Sequence, residues 1–289
     1  MLDKIVLGTV QLGLDYGINN AKGKPSLEEA FQILNYAYDS GIKTLDTAEA
    51  YGDSQEVIGL FHIKFPEKKF KIITKLSEVR SELNLNHKIA KNCNTLYVDQ
   101  LDCYMLHNYG VLKKDEALYF ELQKAKKNSF TRKIGISLYS NNEIEDVLNN
   151  YKEFDVLQVP FNLFDNETKR GELLIKAKEK GFEVHTRSVF LQGLFFRPIK
   201  GLPEKLAPII KYLKMLDEIS NNSQMSIAEL AMQYVLQKKY IDKMLIGVDT
   251  IVQLKENLSI VNKKSEISHN VIDRINIVEQ ELLNPSNWN

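Results

Sequence analysis

The stretch "GIKTLDTAEAYG" (residues 41–52) carries a short β-type run, Ile42 to Leu45, into a lone aspartate, Asp46, and then turns on small residues before a tyrosine, Tyr51. A charge closing an apolar run, with a phenol on the loop just after it, suits a buried strand that opens onto the working end of a parallel sheet. The layout recurs along the chain. Runs rich in Ile, Val and Leu at 4–9, 42–47, 71–76, 101–107, 132–137, 155–160, 182–187 and 243–248 alternate with longer amphipathic segments, the pattern of repeated βα units. Several of the intervening helices open with capping-box spacing: Ser26 and Glu29, Ser140 and Glu143, Ser226 and Glu229, Thr250 and Gln253.

Eight such units close most economically into a (β/α)₈ barrel, and 289 residues suffice for one domain spanning residues 1–289. Two segments exceed the minimal repeat, 188–225 after the seventh strand and 265–289, a C-terminal helical extension. Extra length after a strand lies over the C-terminal face of a barrel, so both are expected to wall a substrate pocket.

Lys plus Arg and Asp plus Glu number 38 each, a net charge of zero, which argues against nucleic acid or an anionic membrane as partner. Cys93, on an expected helix, and Cys103, within an expected strand, form neither a disulfide framework nor a metal site. With no signal-like apolar segment the chain is expected to be cytoplasmic, and the triplet Asn166-Glu167-Thr168 to be a chance match to a glycosylation signal. Neither GxGxxG nor GxxxxGK[ST] occurs after a strand, so a Rossmann crevice or P-loop is unsupported.

Polar residues stand at the ends of neighbouring runs: Asp46 on the second, Lys75 on the third and His107 on the fourth, with Tyr51 on the loop after the second. Inward-facing ends of adjacent barrel strands converge, so the four can form one site. A phenol ordinarily titrates near about 10. An adjacent ammonium lowers that value, and Lys75 is expected to supply it, with Asp46 holding the ammonium in place. Tyr51 then becomes a general acid, and neutral His107 a hydrogen-bond donor to the same carbonyl oxygen.

"GIKTLDTAEAYG", "IITKL" with Lys75, "LDCYMLHN" with His107, "KIGIS" and "IGVDTIVQLKENLSIV", in that order over nearly the whole chain, resemble the aldo-keto reductases. The resemblance implies hydride transfer from NADPH, or less often NADH, to a small-molecule aldehyde or ketone, served by Asp46, Tyr51, Lys75 and His107. It also implies cofactor positions: Gly8 and Thr9 at the turn after the first strand, Ser137 and Gln158 at the nicotinamide carboxamide, Glu256 and Asn257 at adenine. Thr250, opening the last helix, resembles a residue near the adenosine phosphate, and a helix N-terminus is a natural anion site.

The chain departs from the family pattern at four places. The usual N-terminal hairpin is shortened or absent. Leu138 stands where an asparagine commonly follows the serine. Gly247 and Gln253 occupy positions that often carry Lys or Arg for the 2′-phosphate, with Lys255 expected to point elsewhere, so NADPH preference should be weaker than membership alone implies. Arg187 replaces the aromatic residue that stacks on the nicotinamide; it could serve there, salt-bridge a loop, or meet an anionic substrate.

His185 is expected to be a hydrogen-bonded core histidine, and His62, His87 and His269 to lie at the surface. Phe190, Phe195 and Phe196 either line a substrate pocket or fasten their loop. Two function classes remain: a carbonyl reductase, or a nucleotide-bound sensor or scaffold subunit with little turnover, as a resemblance to potassium-channel β subunits allows. The intact set of four favours the enzyme. The stretch "LGTVQLGLDYGINNAKGKPS" (7–26) resembles bacterial reductases linked to carbohydrate synthesis, which points to a sugar or sugar derivative as substrate.

Overall fold

The computed structural model describes residues 1–77, 84–263 and 269–288. Its eight strands are β1 (Ile5–Gly8), β2 (Thr44–Asp46), β3 (Lys71–Leu76), β4 (Leu101–Leu106), β5 (Thr131–Ser137), β6 (Val156–Pro160), β7 (Glu183–Arg187) and β8 (Lys243–Gly247). They fall on the eight expected runs, all parallel, and close into a barrel in sequence order. The helices are α1 (Val10–Gly13), α2 (Leu27–Asp39), α3 (Ser54–Lys64), α4 (Leu85–Leu96), α5 (Tyr109–Lys114), α6 (Ala117–Lys127), α7 (Asn141–Asn150), α8 (Glu167–Glu179), α9 (Ile210–Ser223), α10 (Ile227–Leu236), α11 (Ile251–Val261) and α12 (His269–Asp273).

Helix starts follow their capping chemistry. Ser26, Ser140 and Ser226 each accept from the backbone N–H three residues on, while Glu29, Glu143 and Glu229 reach back to the cap's own N–H. Each such cap stabilises its helix by about 1 kcal/mol. The fourth box is only half made: Thr250 accepts from Gln253 N–H, but the Gln253 side chain accepts from Asp249 N–H instead of Thr250 N–H.

Alternation along each strand divides the side chains into two sets. Leu7, Leu45, Ile72, Tyr104, Ile136, Leu157, Val184 and Ile246 face outward and pack, with helix residues such as Ile33, Ile58, Leu122, Leu174 and Leu254, into one continuous core. Truncating a fully buried member such as Leu174 to alanine would cost about 2–5 kcal/mol. The other set fills the lumen. A small apolar cluster of Ile73, Cys103, Met105 and Val156 sits there. Toward the N-terminal end of the same strands Lys133 Nζ lies 2.5 Å from a Glu183 oxygen, and His185 Nε2 lies 3.4 Å from the other. At the C-terminal end stand Asp46, Lys75, Ser137, Gln158 and Arg187, with matching strand parity.

A 3₁₀ turn, Leu2–Lys4, leads into β1. It is tied to the barrel's lower rim by Lys4 Nζ to Lys238 O (3.3 Å) and Lys243 Nζ to Asp3 O (2.5 Å). The C-terminal extension mostly straps the outside: Asn166 Nδ2 donates to Ile272 O and Ile275 O, and Lys169 Nζ to Ile277 O. Among the described residues of that extension, Ser286 is the one that lines the cavity at the C-terminal face.

Candidate active site

Asp46 closes β2 in register with Gly8 on one side and Ile73 on the other. Lys75 lies two residues beyond Ile73 and so faces the same lumen. Its ammonium, 1% exposed, donates to Asp46 Oδ1 and to Thr47 O at 3.0 Å. The second oxygen of Asp46 accepts from Gln158 Nε2 at 2.8 Å. A carboxylate can only accept, so this contact fixes which end of the Gln158 amide faces Asp46 and leaves Oε1 as its acceptor end.

His107 follows β4, its backbone N–H donating to Leu76 O and its Nδ1 lying 3.0 Å from Ser77 Oγ. Burial, reinforced by the Lys75 and Arg187 charges, holds the imidazole down to about 4, so it is neutral at neutral pH. Its ring meets the Tyr51 ring edge-on, centroids 5.7 Å apart, and Lys75 Nζ lies 5.2 Å from the Tyr51 centroid. Asp46, Tyr51, Lys75 and His107 therefore converge.

The turn that carries Tyr51 is held by close backbone packing. A Cβ on Gly13 would lie 1.8 Å from Tyr51 O, and Gly52, at φ +55°, packs back against Gly13 O. Glu49 anchors the turn's other side: Oε1 accepts from Asn92 Nδ2 (2.8 Å) and Tyr104 Oη (3.0 Å), and Oε2 pairs with Lys88 at 3.2 Å.

One expectation about charge is corrected here. Tyr51 titrates above its ordinary value, because burial disfavours phenolate and the Asp46 carboxylate opposes it; Arg187 is the cation that works in the opposite direction. The Lys75 charge is committed to Asp46, so the pair offsets itself as seen from the phenol.

A cavity of about 580 Å³ opens at this point and runs along the C-terminal rim of the barrel. All the cofactor positions inferred from the sequence line it except Thr250: Gly8, Thr9, Ser137, Gln158, Arg187, Gly247, Gln253, Glu256 and Asn257. Thr250 Oγ is instead engaged in capping Gln253 N–H. Arg187 has no carboxylate within ion-pair distance among the described residues. Its Nε donates to Ser137 Oγ, Nη1 to Ser188 Oγ and Nη2 to Leu138 O, each at 3.3 Å, and its guanidinium carbon sits 4.0 Å over the Tyr139 ring.

Sequence reasoning missed several lining residues. Tyr139 shares parity with Ser137 two residues earlier, a signal that could have found it. Tyr16, Asn19, Asn20, Gln192 and Gly193 come from two loops that meet over the cavity, with Ile18 N–H donating to Gln192 O and Gln192 Nε2 to Tyr16 Oη. That pairing leaves no trace in local sequence. The three phenylalanines divide: Phe190 and Phe196 line the cavity, while Phe195 is buried edge-on against Phe164.

Among the histidines, His87 is exposed and His185 is buried, its Nδ1 without a hydrogen-bond partner among the described residues. The side chain of His269 lies outside the described residues. His62 corrects the expectation of surface placement: it is fully buried on α3, its Nδ1 paired with Leu96 O at 2.8 Å and its Nε2 accepting from Phe70 N–H at 3.1 Å. It faces the next βα unit, satisfying two backbone groups there. Among the described residues no three His, Cys, Asp or Glu side chains are grouped to hold a metal, and no helix is long and apolar enough to cross a membrane.

The family model for the Aldo/keto reductase family matches residues 4–280. The chain is 24% identical to the NADH-specific methylglyoxal reductase of Escherichia coli over 90% of each chain. It is 25% identical to the L-galactose dehydrogenase of Arabidopsis thaliana, covering 83% of this chain and 80% of that one. A solved aldo-keto reductase, AKR11C1 from Bacillus halodurans in its holo form, shares the fold with a TM-score of 0.78 at 19% identity, covering 95% of this chain and 92% of that one. This protein belongs to the aldo/keto reductase family. It is an oxidoreductase of the class that reduces carbonyls by hydride transfer with a nicotinamide cofactor.

The cavity fits such a cofactor. Its volume lies within the roughly 300–1,000 Å³ of small-molecule sites. Gly8 and Gly247, paired in register, leave the rim without side chains between β1 and β8, and beside them Gln11 Oε1 is buried with no hydrogen-bond partner among the described residues. A Cβ on Gly247 would run into that Gln11 amide at 2.6 Å.

Proposed function

We propose that this enzyme reduces the carbonyl of a small polar aldehyde or ketone, a sugar or sugar derivative, with NADPH or NADH as donor and Tyr51 as proton donor. The observation that carries the reading is the convergence of Asp46, Tyr51, Lys75 and His107 at one end of the cavity. The bound cofactor supplies the hydride; the chain supplies everything that handles the oxygen.

Tyr51 stays protonated through the neutral range because burial and Asp46 disfavour its phenolate. The hydroxyl can therefore donate as negative charge develops on the carbonyl oxygen. Neutral His107, with Ser77 Oγ able to donate to Nδ1, carries its proton on Nε2 and donates to the same oxygen. Asp46, itself held by Gln158, keeps Lys75 beside the Tyr51 ring, where the ammonium balances the carboxylate that would otherwise oppose the phenolate more strongly. Gln158 Oε1 and Ser137 Oγ are suited to bind the nicotinamide carboxamide.

Asn19, Asn20, Gln192, Tyr16 and Ser286 give the cavity donors and acceptors suited to a polyhydroxylated substrate, while Phe190 and Phe196 offer an apolar face. The names of the relatives, a methylglyoxal reductase and an L-galactose dehydrogenase, agree with small oxygen-rich carbonyls. The test is a screen of sugar, sugar-derived and simple aldehydes by loss of reduced-nicotinamide absorbance. Tight cofactor binding with no turnover on any of them would replace this reading with that of a nucleotide-bound sensor.

A further inference from the structure

The cavity is electrostatically lopsided. Among the described residues that line it, the cations are Lys75 and Arg187, and both face Tyr51. Between Gly247 and the end of α11 the described lining residues are Asp249, Gln253, Glu256 and Asn257, two of them acidic and none basic. Lys255, the cation closest in sequence, is turned away, its Nζ 5.3 Å from the Tyr36 ring centroid.

Asp249 is set in place by the unusual start of α11. Gln253 Oε1 accepts from Asp249 N–H at 2.7 Å, and Gln253 Nε2 approaches Asp249 Oδ2 at 3.4 Å. Thr250 Oγ caps the Gln253 N–H. A helix N-terminus attracts anions, but here one orphan N–H is already satisfied and a carboxylate of the chain itself stands at the start of the helix. A second anion would meet a negative charge there.

Resting on the reading of the cavity as a nicotinamide-cofactor site, we propose that Asp249, clamped by Gln253, selects NADH over NADPH by accepting a hydrogen bond from the 2′-hydroxyl of the adenosine ribose and repelling a 2′-phosphate. The chemistry is the one by which an acidic residue reads a ribose hydroxyl in dinucleotide-binding sheets of another fold. The carboxylate is suited to it. Burial in the cavity wall pushes the Asp249 carboxyl above its ordinary value, and among the described residues the Gln253 amide is the donor that opposes this. The carboxylate has acceptor capacity left for a ribose hydroxyl. Glu256, about one turn beyond Gln253 on α11, adds negative charge at the same end.

The test is calorimetric titration of NADH and NADPH, and of ADP-ribose with and without a 2′-phosphate, into the wild-type chain, Asp249→Asn and Gln253→Arg. The expected result is that the wild type binds NADH at least tenfold tighter than NADPH, with the same order for the two ADP-riboses. Asp249→Asn should narrow that ratio about tenfold, chiefly by improving the phosphorylated ligands, and Gln253→Arg should narrow it further by adding a cation and releasing the clamp. High salt should weaken the wild-type discrimination, since screening reduces the repulsion. NADPH binding as tightly as NADH to the wild type, or a ratio unchanged in Asp249→Asn, overturns the selector and leaves the proposed reductase intact. Failure of both dinucleotides to bind overturns the reductase reading itself.

Discussion

The guanidinium carbon of Arg187 sits 4.0 Å over the ring of Tyr139, in the cavity and without a carboxylate partner among the described residues. A planar cation stacks there on an aromatic instead of pairing with an acid. The nicotinamide ring is cationic when oxidised and neutral when reduced, so an unneutralised charge nearby disfavours the oxidised form. Solvent screening brings the effect to about 1 kcal/mol, roughly fivefold in affinity. Arg187→Leu should therefore gain affinity for oxidised cofactor relative to reduced by about that factor. If the ratio stays put while KM for carboxylate-bearing carbonyls rises, Arg187 serves the substrate.

Tyr51→Phe should lower turnover by about a hundredfold or more with little change in cofactor affinity; unchanged kcat removes the proton-donor assignment. Two further variants read the charge around the phenol. Asp46→Asn removes the carboxylate that raises the Tyr51 pKa and frees the Lys75 charge, both of which favour phenolate, so the alkaline limb of the kcat/KM profile for reduction should move to lower pH. Lys75→Met leaves Asp46 unopposed and should move that limb upward. Shifts in the same direction would show that the pair does not tune Tyr51.

Glu49 tests whether the Tyr51 turn must be braced. In Glu49→Ala, Asn92 Nδ2 and Tyr104 Oη lose their acceptor, a cost of about 1–3 kcal/mol for a buried group left unpaired. kcat should fall about tenfold or more as the phenol loses its position. Glu49→Gln keeps an acceptor oxygen and should recover most of the kcat even though the Lys88 pair is lost. A variant with lowered thermal midpoint but unaltered kcat would make Glu49 purely structural.

His62 predicts an acid-sensitive fold. Burial holds its imidazole down to about 4, against an ordinary 6.5 that applies when unfolded. With Nε2 accepting from Phe70 N–H, the neutral ring is the form that fits. The unfolded chain thus takes up a proton that the folded one refuses, so stability is complete above pH 6.5 and declines as pH falls toward 4. At pH 5 the loss from this residue is about 2 kcal/mol. Urea unfolding of wild type and His62→Gln at pH 7 and pH 5 separates the term, because glutamine can donate to Leu96 O and accept from Phe70 N–H without titrating. An equal decline in both chains would refute it.

The barrel was legible in the sequence because its information is local: period-two apolar runs, capping residues and strand-end charges all lie within a few positions of one another. The convergence of Asp46, Lys75 and His107 was legible for the same reason, each standing at the end of a run. What escaped depends on partners distant in sequence. The upward shift of Tyr51 arises from burial and from which charge Lys75 is already holding, and the burial of His62 from a backbone N–H and a carbonyl on other segments. Local spacing did suggest a reciprocal box at Thr250, yet the Gln253 amide preferred the neighbouring Asp249.

The small lumen cluster of Ile73, Cys103, Met105 and Val156 lies between two polar tiers, the Lys133, Glu183 and His185 group toward the N-terminal end and the Asp46, Lys75 and Gln158 group toward the other. It acts as an insulator, a thin apolar layer that separates the charges of one tier from those of the other. It also seals one thiol. Burial raises the pKa of both thiols; Cys103 sits inside that layer, 1% exposed, whereas Cys93, on α4, lies nearer the surface at 9%. A thiol reagent should therefore reach Cys93 when the outer helix loosens and Cys103 only when the barrel wall opens.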